Sequence, residues 1–370
     1  MKKENKHIKV IISGGGTGGH IFPALAIANE IKNRFPGADI LFVGAKGRME
    51  MEKVPANGYP IEGLWISGIN RKKLWKNVAF PFKLLSSLSK AKRIIRRFQP
   101  DFVVGTGGFA SGPVLYAAQK KGIPTFIQEQ NSYPGITNKL LAKKADRIYT
   151  AYDNLERFFD AGKIVKTGNP VRKELYKIEV DKQAALQKFG LQTGKKTILS
   201  IGGSLGAHPV NEAIKSIVNQ IKAHDYQLIW QTGKNDFNNY DKYNSEYIKV
   251  LPFIVNMQDA YAATDLIISR AGAGTISELS IVGKPVILVP SPYVAEDHQT
   301  KNAQALVDKK AAIMIKENQL KSDLWKQIQM VFSTDETAEG LRKNIKKMAM
   351  PDATKTIVDD ILNYINSIKR

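Results

Sequence analysis

Four glycine-rich segments constrain this chain most, because each directly follows a short run rich in β-branched residues. They are SGGGTGGH at 13–20, GTGGFASGP at 105–113, GGSLGA at 202–207 and RAGAGTISE at 270–278. A buried strand, a glycine turn and a helical pattern make one unit of a parallel sheet, and its repetition predicts helices on both sheet faces. In the first half, residues 7–13, 39–44, 101–105 and 125–128 read as strands, with helices at 23–34 and 114–121. The series restarts with strands at 197–201, 227–232, 266–269 and 286–289 and a helix at 209–223. Two doubly wound α/β domains are expected, joined near Gly168-Asn169-Pro170, a turn-forming cluster. A length of 370 residues fits two domains. The tail, 354–369, sets Ile357, Ile361, Leu362, Ile365 and Ile368 at helical spacing.

Open parallel sheets bind ligands at the carboxyl ends of their strands, where all four segments should fall. The first formally meets G-x-G-x-x-G through Gly14, Gly16 and Gly19, the pattern of a dinucleotide site. Two details oppose that use. A nicotinamide site wants an acidic residue about 20 positions on, at the end of the second strand, and LFVGA at 41–45 has none. The turn also ends in His20, an ionisable group where a phosphate cradle needs only backbone. A Walker A loop is excluded because His20 stands where Lys is required. The second segment reads equally as a tight strand-to-helix turn. The third offers N–H groups at a helix start with the Ser204 hydroxyl, a pyrophosphate cradle. In the fourth, Glu278 lies on the opening helix. A carboxylate there either accepts from vicinal ribose hydroxyls or offsets the helix dipole.

The chain has no cysteine, which excludes disulfides and thiolate metal sites. The apolar run at 8–12 is broken by Lys9 and is too short for a secretory signal. No stretch approaches the roughly 18 apolar residues of a spanning helix. A cytoplasmic protein, or one attached to a cytoplasmic surface, is expected. The net charge is +21, with 28 Lys and Arg against 12 Asp and Glu in residues 1–170, and 27 against 22 in the remainder. A positive field on the first half suits a nucleic acid or an anionic membrane. Residues 71–97 hold ten basic and no acidic side chains among Trp75, Phe80, Phe82, Leu84, Leu85 and Leu88. That mixture fits anionic lipid better than a nucleic-acid stripe. A solvated helix with inward-packed aromatics has the same pattern. Asp359-Asp360 reads as a solvated helix face, no Asp-x-Asp site is present, and no metal is expected to be required.

Eight ordered segments resemble the MurG-type N-acetylglucosaminyltransferases of glycosyltransferase family 28, over essentially the whole chain. They are GGGTGGHIFPALAIA at 14–28, GTGGFASGP at 105–113, QEQNSYPGITNK at 128–139, GNPVR at 168–172, GGSLGA at 202–207, LPFIVNM at 251–257, RAGAGTISEL at 270–279 and EDHQTKNA at 296–303. The resemblance implies the GT-B fold, two Rossmann-like doubly wound domains facing each other across a cleft. Residues 1–167 would form the acceptor and membrane domain and 168–345 the UDP-GlcNAc domain. Residues 346–370 would form a helix returning toward the first domain. It further implies an inverting transfer of GlcNAc from UDP-GlcNAc to the C4 hydroxyl of undecaprenyl-diphospho-MurNAc-pentapeptide. That reaction serves peptidoglycan synthesis at the cytoplasmic face of the membrane, without nucleic acid or a metal cofactor.

Residue by residue, the resemblance implies that Ile254 meets the uracil, Arg172 lies on the donor and Ser204 contacts phosphate. Ala273, Gly274 and Thr275 would wrap ribose and phosphate, with Glu278 on the ribose hydroxyls and Gln299 on the sugar. Thr17, Gly18, Gly19 and Asn131 would close over the donor from the first domain. The family often has two adjacent glutamines where this chain has His298-Gln299, a departure at the second sugar contact.

An α-linked donor and a β-linked product require one displacement and a base for the acceptor proton. His7 lies in the tail, His208 in the phosphate turn and His224 late in a helix or the turn after it. His20, on the first glycine turn, is the expected base or hydrogen-bond organiser, since histidine's reference pKa is near 6.5. Glu129, after a strand and beside Asn131, is the second candidate. The charge on departing UDP would fall to the helix start after Gly206, the N–H groups near Gly274, and Arg172. Rival readings are a related transferase acting on another lipid such as a diacylglycerol, a UDP-GlcNAc 2-epimerase, and a non-catalytic nucleotide-sugar binder. The epimerase would need an array of cleft carboxylates and would leave the basic segment idle.

Overall fold

The computed structural model describes residues 7–68, 74–171, 180–203 and 205–368. Arg172, Ser204 and the basic residues 71–73 lie outside the described residues. The chain divides into two compact units. One runs to Val171 and resumes at Pro351; the other is the stretch between.

In the first unit the strands are β1 (Lys9–Gly14), β2 (Asp39–Ala45), β3 (Ile61–Leu64), β4 (Phe102–Gly107), β5 (Thr125–Glu129), β6 (Arg147–Thr150) and β7 (Ile164–Lys166). They form one parallel sheet in the order β3-β2-β1-β4-β5-β6-β7. The order reverses beside β1, so the turns after β1 and β4 sit together at the switch point, where such sheets open a crevice. Both faces are covered. Val10, Ile12, Phe102, Val104 and Phe126 pack on one side, and Ile11, Val43, Val103 and Ile127 on the other. Burial on both faces accounts for strands that read as near-continuous apolar runs.

The second unit has β8 (Thr197–Ile201), β9 (Gln227–Gln231), β10 (Ile248–Leu251), β11 (Leu266–Ser269), β12 (Val286–Leu288) and β13 (Ile313–Met314). Its parallel order is β10-β9-β8-β11-β12-β13. Here the switch point lies between β8 and β11, the two strands that lead into GGSLGA and RAGAGTISE.

Several sequence expectations need correcting. The first helix begins at Gly18 rather than at residue 23, and Pro23 lies inside it. Gly18 and Gly19 are poor helix formers, but His20 and Ile21 both donate to the Thr17 carbonyl, at 3.1 and 3.2 Å, and close the first turn. The helix expected over 114–121 is Ser111–Gln119. The helix expected over 209–223 is two, His208–Ser216 and Val218–Ala223, broken at the β-branched pair Ile217-Val218.

Asp359-Asp360 is a solvated face only in part: Asp359 is exposed, whereas Asp360 is half-buried. Asp359 pairs with Arg34, and Asp360 accepts the Tyr149 hydroxyl at 2.9 Å. With Tyr364 donating to Asp146 at 2.6 Å, these bonds set the register of the tail helix Ala353–Ile368 on the first unit. Ile357, Val358, Ile361 and Ile365 enter that unit's core, each contributing about 1.5–3 kcal/mol over exposure. Burial, then the neighbouring Asp360, pushes the Tyr149 phenol far above its ordinary pKa, so it remains a donor.

Candidate active site

The first unit's site is built on the turn between β1 and helix Gly18–Arg34. His20 Nδ1 lies 2.9 Å from the Gly15 carbonyl and 3.4 Å from Thr17 Oγ1. A carbonyl only accepts, so Nδ1 carries the proton and Nε2 is the basic nitrogen of the neutral ring. The Nε2 edge lies over Gly107. A Cβ there would stand 2.9 Å from Cδ2 and 3.0 Å from Nε2, so only glycine lets the imidazole settle. The Thr106 hydroxyl donates to the His20 carbonyl at 2.8 Å, and Gln130 donates to the Thr106 carbonyl at 2.8 Å. The end of β4 thereby couples the histidine turn to the segment after β5. Thr17 and Gly19 are exposed at this helix start and Gly18 is half-buried.

Glu129 proves to be the last residue of β5, 1% exposed. Oε1 accepts from the N–H and side-chain amide of Asn131 at 3.0 and 3.2 Å. Oε2 accepts from the Gly135 N–H at 3.2 Å and the Asn138 amide at 2.7 Å. Burial pushes its pKa up, and the four donors pull it back. Four N–H donors occupy the lone pairs a base would use, so the carboxylate organises the loop that holds Asn131. The flanking glutamines do similar work. Gln128 donates to Asn169 at 2.9 Å, and Asn169 donates to the Gln130 carbonyl at 3.1 Å, pinning the GNP turn.

The second unit holds a cavity of about 350 Å³ at its switch point. Four expected residues line it: Ile254, Thr275, Glu278 and Gln299. Ala273 and Gly274 open the helix Ala273–Val282 beside it without lining it, and Ala273 is buried. A Cβ on Gly274 would meet nothing within 4 Å, so the backbone there is open to a ligand. Ile254 is 3% exposed, and its N–H is taken by Gln231 Oε1 at 2.9 Å. Glu278 is the sixth residue of its helix, beyond the first turn where dipole compensation is strongest. Gln299 accepts the Ser291 N–H on Oε1 at 2.8 Å, which turns its amide into a donor toward a ligand. It is delivered by two successive left-handed residues, Glu296 (φ 56°) and Asp297 (φ 50°), a strained entry of the kind that clusters at functional sites.

Sequence reading missed further lining residues: Gln231, Phe253, Tyr261 and Arg270. Gln231 ends β9 and bridges two walls, donating to the Gly203 carbonyl at 3.1 Å while accepting from Ile254. Its position at the carboxyl end of a strand was the available signal. Arg270 pairs with Glu317 at 2.6 Å and braces the rim through the carbonyls of Val289 and Pro290.

Among the described residues of 71–97, the helix Phe80–Phe98 buries Ser87, Ala91, Ile94 and Ile95, and packs Phe80 and Leu84 partly against the core. Trp75, Val78, Phe82 and Leu85 remain exposed, at 65% or more, on the same segment as Lys92, Arg93 and Arg96. No described helix is long and apolar enough to cross a membrane.

Comparison with known proteins places this arrangement. The glycosyltransferase family 28 N-terminal domain matches residues 10–150, and the family 28 C-terminal domain matches residues 197–357. The UDP-N-acetylglucosamine–N-acetylmuramyl-(pentapeptide) pyrophosphoryl-undecaprenol N-acetylglucosamine transferase of Flavobacterium psychrophilum is 54% identical, over 98% of this chain and 99% of that protein. The protein of the same name from Cytophaga hutchinsonii is 53% identical over 99% and 100%. Among solved structures, MurG of Acinetobacter baumannii superposes with a TM-score of 0.79 at 29% identity, covering 96% of this chain and 99% of that one. With both halves matched and both folded as parallel-sheet α/β units, the chain belongs to glycosyltransferase family 28 and has the GT-B fold.

Proposed function

We propose that this chain transfers N-acetylglucosamine from UDP-GlcNAc to the C4 hydroxyl of undecaprenyl-diphospho-MurNAc-pentapeptide, with inversion at the anomeric carbon. The observation that carries the proposal is 54% identity, over nearly the full length of both chains, with a relative whose name states that transfer. The second unit's cavity takes the donor. Glu278 receives the ribose hydroxyls, Gln299 the sugar, and Ile254 the uracil; by the family resemblance Arg172 contacts the donor and Ser204 its phosphate. Gly274 and Thr275, at the start of a helix, offer N–H groups to the diphosphate.

The acceptor oxygen attacks C1 as the bond from C1 to the β-phosphate oxygen breaks. UDP leaves with the electron pair. The acceptor proton passes to Nε2 of His20, whose ring is held in the required tautomer by Gly15. Asn131, Thr17, Gly18 and Gly19 serve the reacting sugars, and Glu129 keeps Asn131 in place. The charge on UDP is met by preorganised N–H groups, and no metal is required; activity should survive EDTA. The exposed Trp75, Val78, Phe82 and Leu85, with the basic residues beside them, rest on the anionic cytoplasmic face of the membrane, where each cation contributes about 1 kcal/mol.

The test is one assay with labelled UDP-GlcNAc and a short-chain analogue of the lipid-linked muramyl acceptor. UDP release coupled to a disaccharide lipid is expected, and His20→Ala should lower kcat by about 10²–10⁴. Epimerised sugar nucleotide, or transfer to a diacylglycerol in preference, would overturn the proposal.

A further inference from the structure

Glu50 is a fully buried carboxylate with no part in the mechanism above. It opens helix Glu50–Ala56 and lies under the glycine turn that follows β1. Oε1 accepts the Ala45 N–H, at the end of β2, at 2.9 Å. Oε2 accepts the Gly16 N–H, also at 2.9 Å. Two glycines make its slot: a Cβ on Gly15 would fall 2.2 Å from Oε1, and one on Gly44 would fall 2.5 Å from Cγ. Gly16 itself has φ 85°, a left-handed conformation that aims its N–H downward at the carboxylate at little cost for glycine.

The N–H of Gly16 and the C=O of Gly15 belong to the same planar peptide unit. That carbonyl is the one that receives His20 Nδ1–H at 2.9 Å. The groups therefore run in series, from the Glu50 carboxylate through one peptide to the imidazole. Hydrogen bonds in series polarise one another in a low-dielectric setting. An anion on the N–H end makes the carbonyl a stronger acceptor. A stronger acceptor keeps the proton on Nδ1 and stabilises the imidazolium formed when Nε2 takes the acceptor's proton. In the Ser-His-Asp arrangement a carboxylate does this by direct contact; here a peptide stands between.

We infer that Glu50 is a positioning residue for the transfer reaction, acting through the Gly15–Gly16 peptide to fix the tautomer of His20 and support its positive charge. The inference rests on His20 being the base proposed above. A purely structural peg would make the same contacts, so the test has to separate the two.

Glu50→Gln, His20→Ala and the double variant are compared in the full-length protein for kcat and for KM toward UDP-GlcNAc. Glu50→Gln is expected to lower kcat about tenfold or more, by analogy with the loss seen when a partner orienting a metal-ligating histidine is removed. The KM should move less than about twofold. In the His20→Ala background, Glu50→Gln should cost nothing further, because two residues acting as a unit are non-additive. If the two losses multiply, Glu50 is a peg and the inference fails while His20 stands as the base. If His20→Ala leaves kcat unchanged, the base assignment fails and takes the inference with it. Should Glu50→Gln lose its fold, ¹⁵N spectra of His20 in the wild type and Glu50→Asp replace it. An Nδ1–H tautomer that becomes mixed in the variant supports the inference, and an unchanged tautomer overturns it.

Discussion

Replacing Gln231 with leucine tests whether the donor cavity is a preorganised site. Gln231 is 4% exposed, and its amide ties the Gly203 carbonyl to the Ile254 N–H across the cavity. Leucine keeps most of the volume and removes both bonds. The Ile254 N–H then faces dry surroundings, an orphaned donor costing about 1–3 kcal/mol. Gly203 is exposed, so its carbonyl finds water and loses only the net value of a bond, about 0.5–1.5 kcal/mol. The extra apolar burial returns about 1 kcal/mol. A net loss of about 2 kcal/mol in a unit of this size lowers its Tm by about 4–8 °C. UDP binding must then re-order the two released walls, and its Kd should rise about tenfold for each 1.4 kcal/mol of that cost. Scanning calorimetry gives the first quantity, and titration calorimetry with UDP gives the second. A variant whose Tm stays within 1 °C and whose Kd is unchanged would refute the reasoning, because the bridge would then hold nothing together.

Two glycines separate ligand approach from packing. Gly274→Ala, with open space at its Cβ, should fold normally yet weaken UDP binding about tenfold or more, whereas Gly206→Ala, whose Cβ would stand 2.1 Å from the Thr232 carbonyl at φ 86°, should destabilise the unit as read by urea melts. Burial depresses the Lys284 pKa, so the folded unit disfavours its charge. Lys284→Met should therefore raise Tm at pH 7. That advantage should shrink as pH climbs from the folded pKa toward 10.5, because the unfolded chain still holds its proton there. Phe82→Glu with Leu85→Glu, both at exposed positions, should leave the circular dichroism intact and weaken sedimentation with phosphatidylglycerol vesicles about tenfold or more. Undiminished sedimentation would remove this face from the membrane contact.

The strand runs and their glycine turns were legible because they obey local rules. Thr197–Ile201 and Leu266–Ser269 match the expected spans, since a doubly buried parallel strand announces itself by composition. Short or mixed elements were not legible: β3, β7 and β13 hold four, three and two residues, too few for a period to show. Glu129 was visible as a carboxylate just after a strand, but its role depends on Gly135 and Asn138, whose approach is set by the loop's path. Glu50 gave no signal at all. Either of the two glutamates in RMEMEKVP is unexceptional, and only the fold places Glu50 between Gly15 and Gly44.

The glycine motifs mark the right places for a reason that differs from the one usually given. A Cβ on Gly14 would strike Thr106 Oγ1 at 1.9 Å, one on Gly105 would meet Leu115 at 2.7 Å, and one on Gly202 would meet the Ala207 nitrogen at 2.6 Å. These glycines are required by neighbouring protein atoms. Gly14 lets the turn after β1 press on the end of β4, and Gly206 lets the turn after β8 press on Thr232 after β9, while Gly105 and Gly202 seat their own helix and turn; a few others, such as Gly203 and Gly274, stay open. A glycine-rich pattern thus reports first that backbone is closely packed at a strand end, and only secondarily that a phosphate approaches. That order explains why the pattern at 14–19 satisfies a dinucleotide motif without a dinucleotide's ribose partner. The packing demand is shared by every sheet that reverses at such a point, while the chemistry is left to the residues the packing brings in: His20 over Gly107 in one unit, and Glu278 with Gln299 around the cavity in the other.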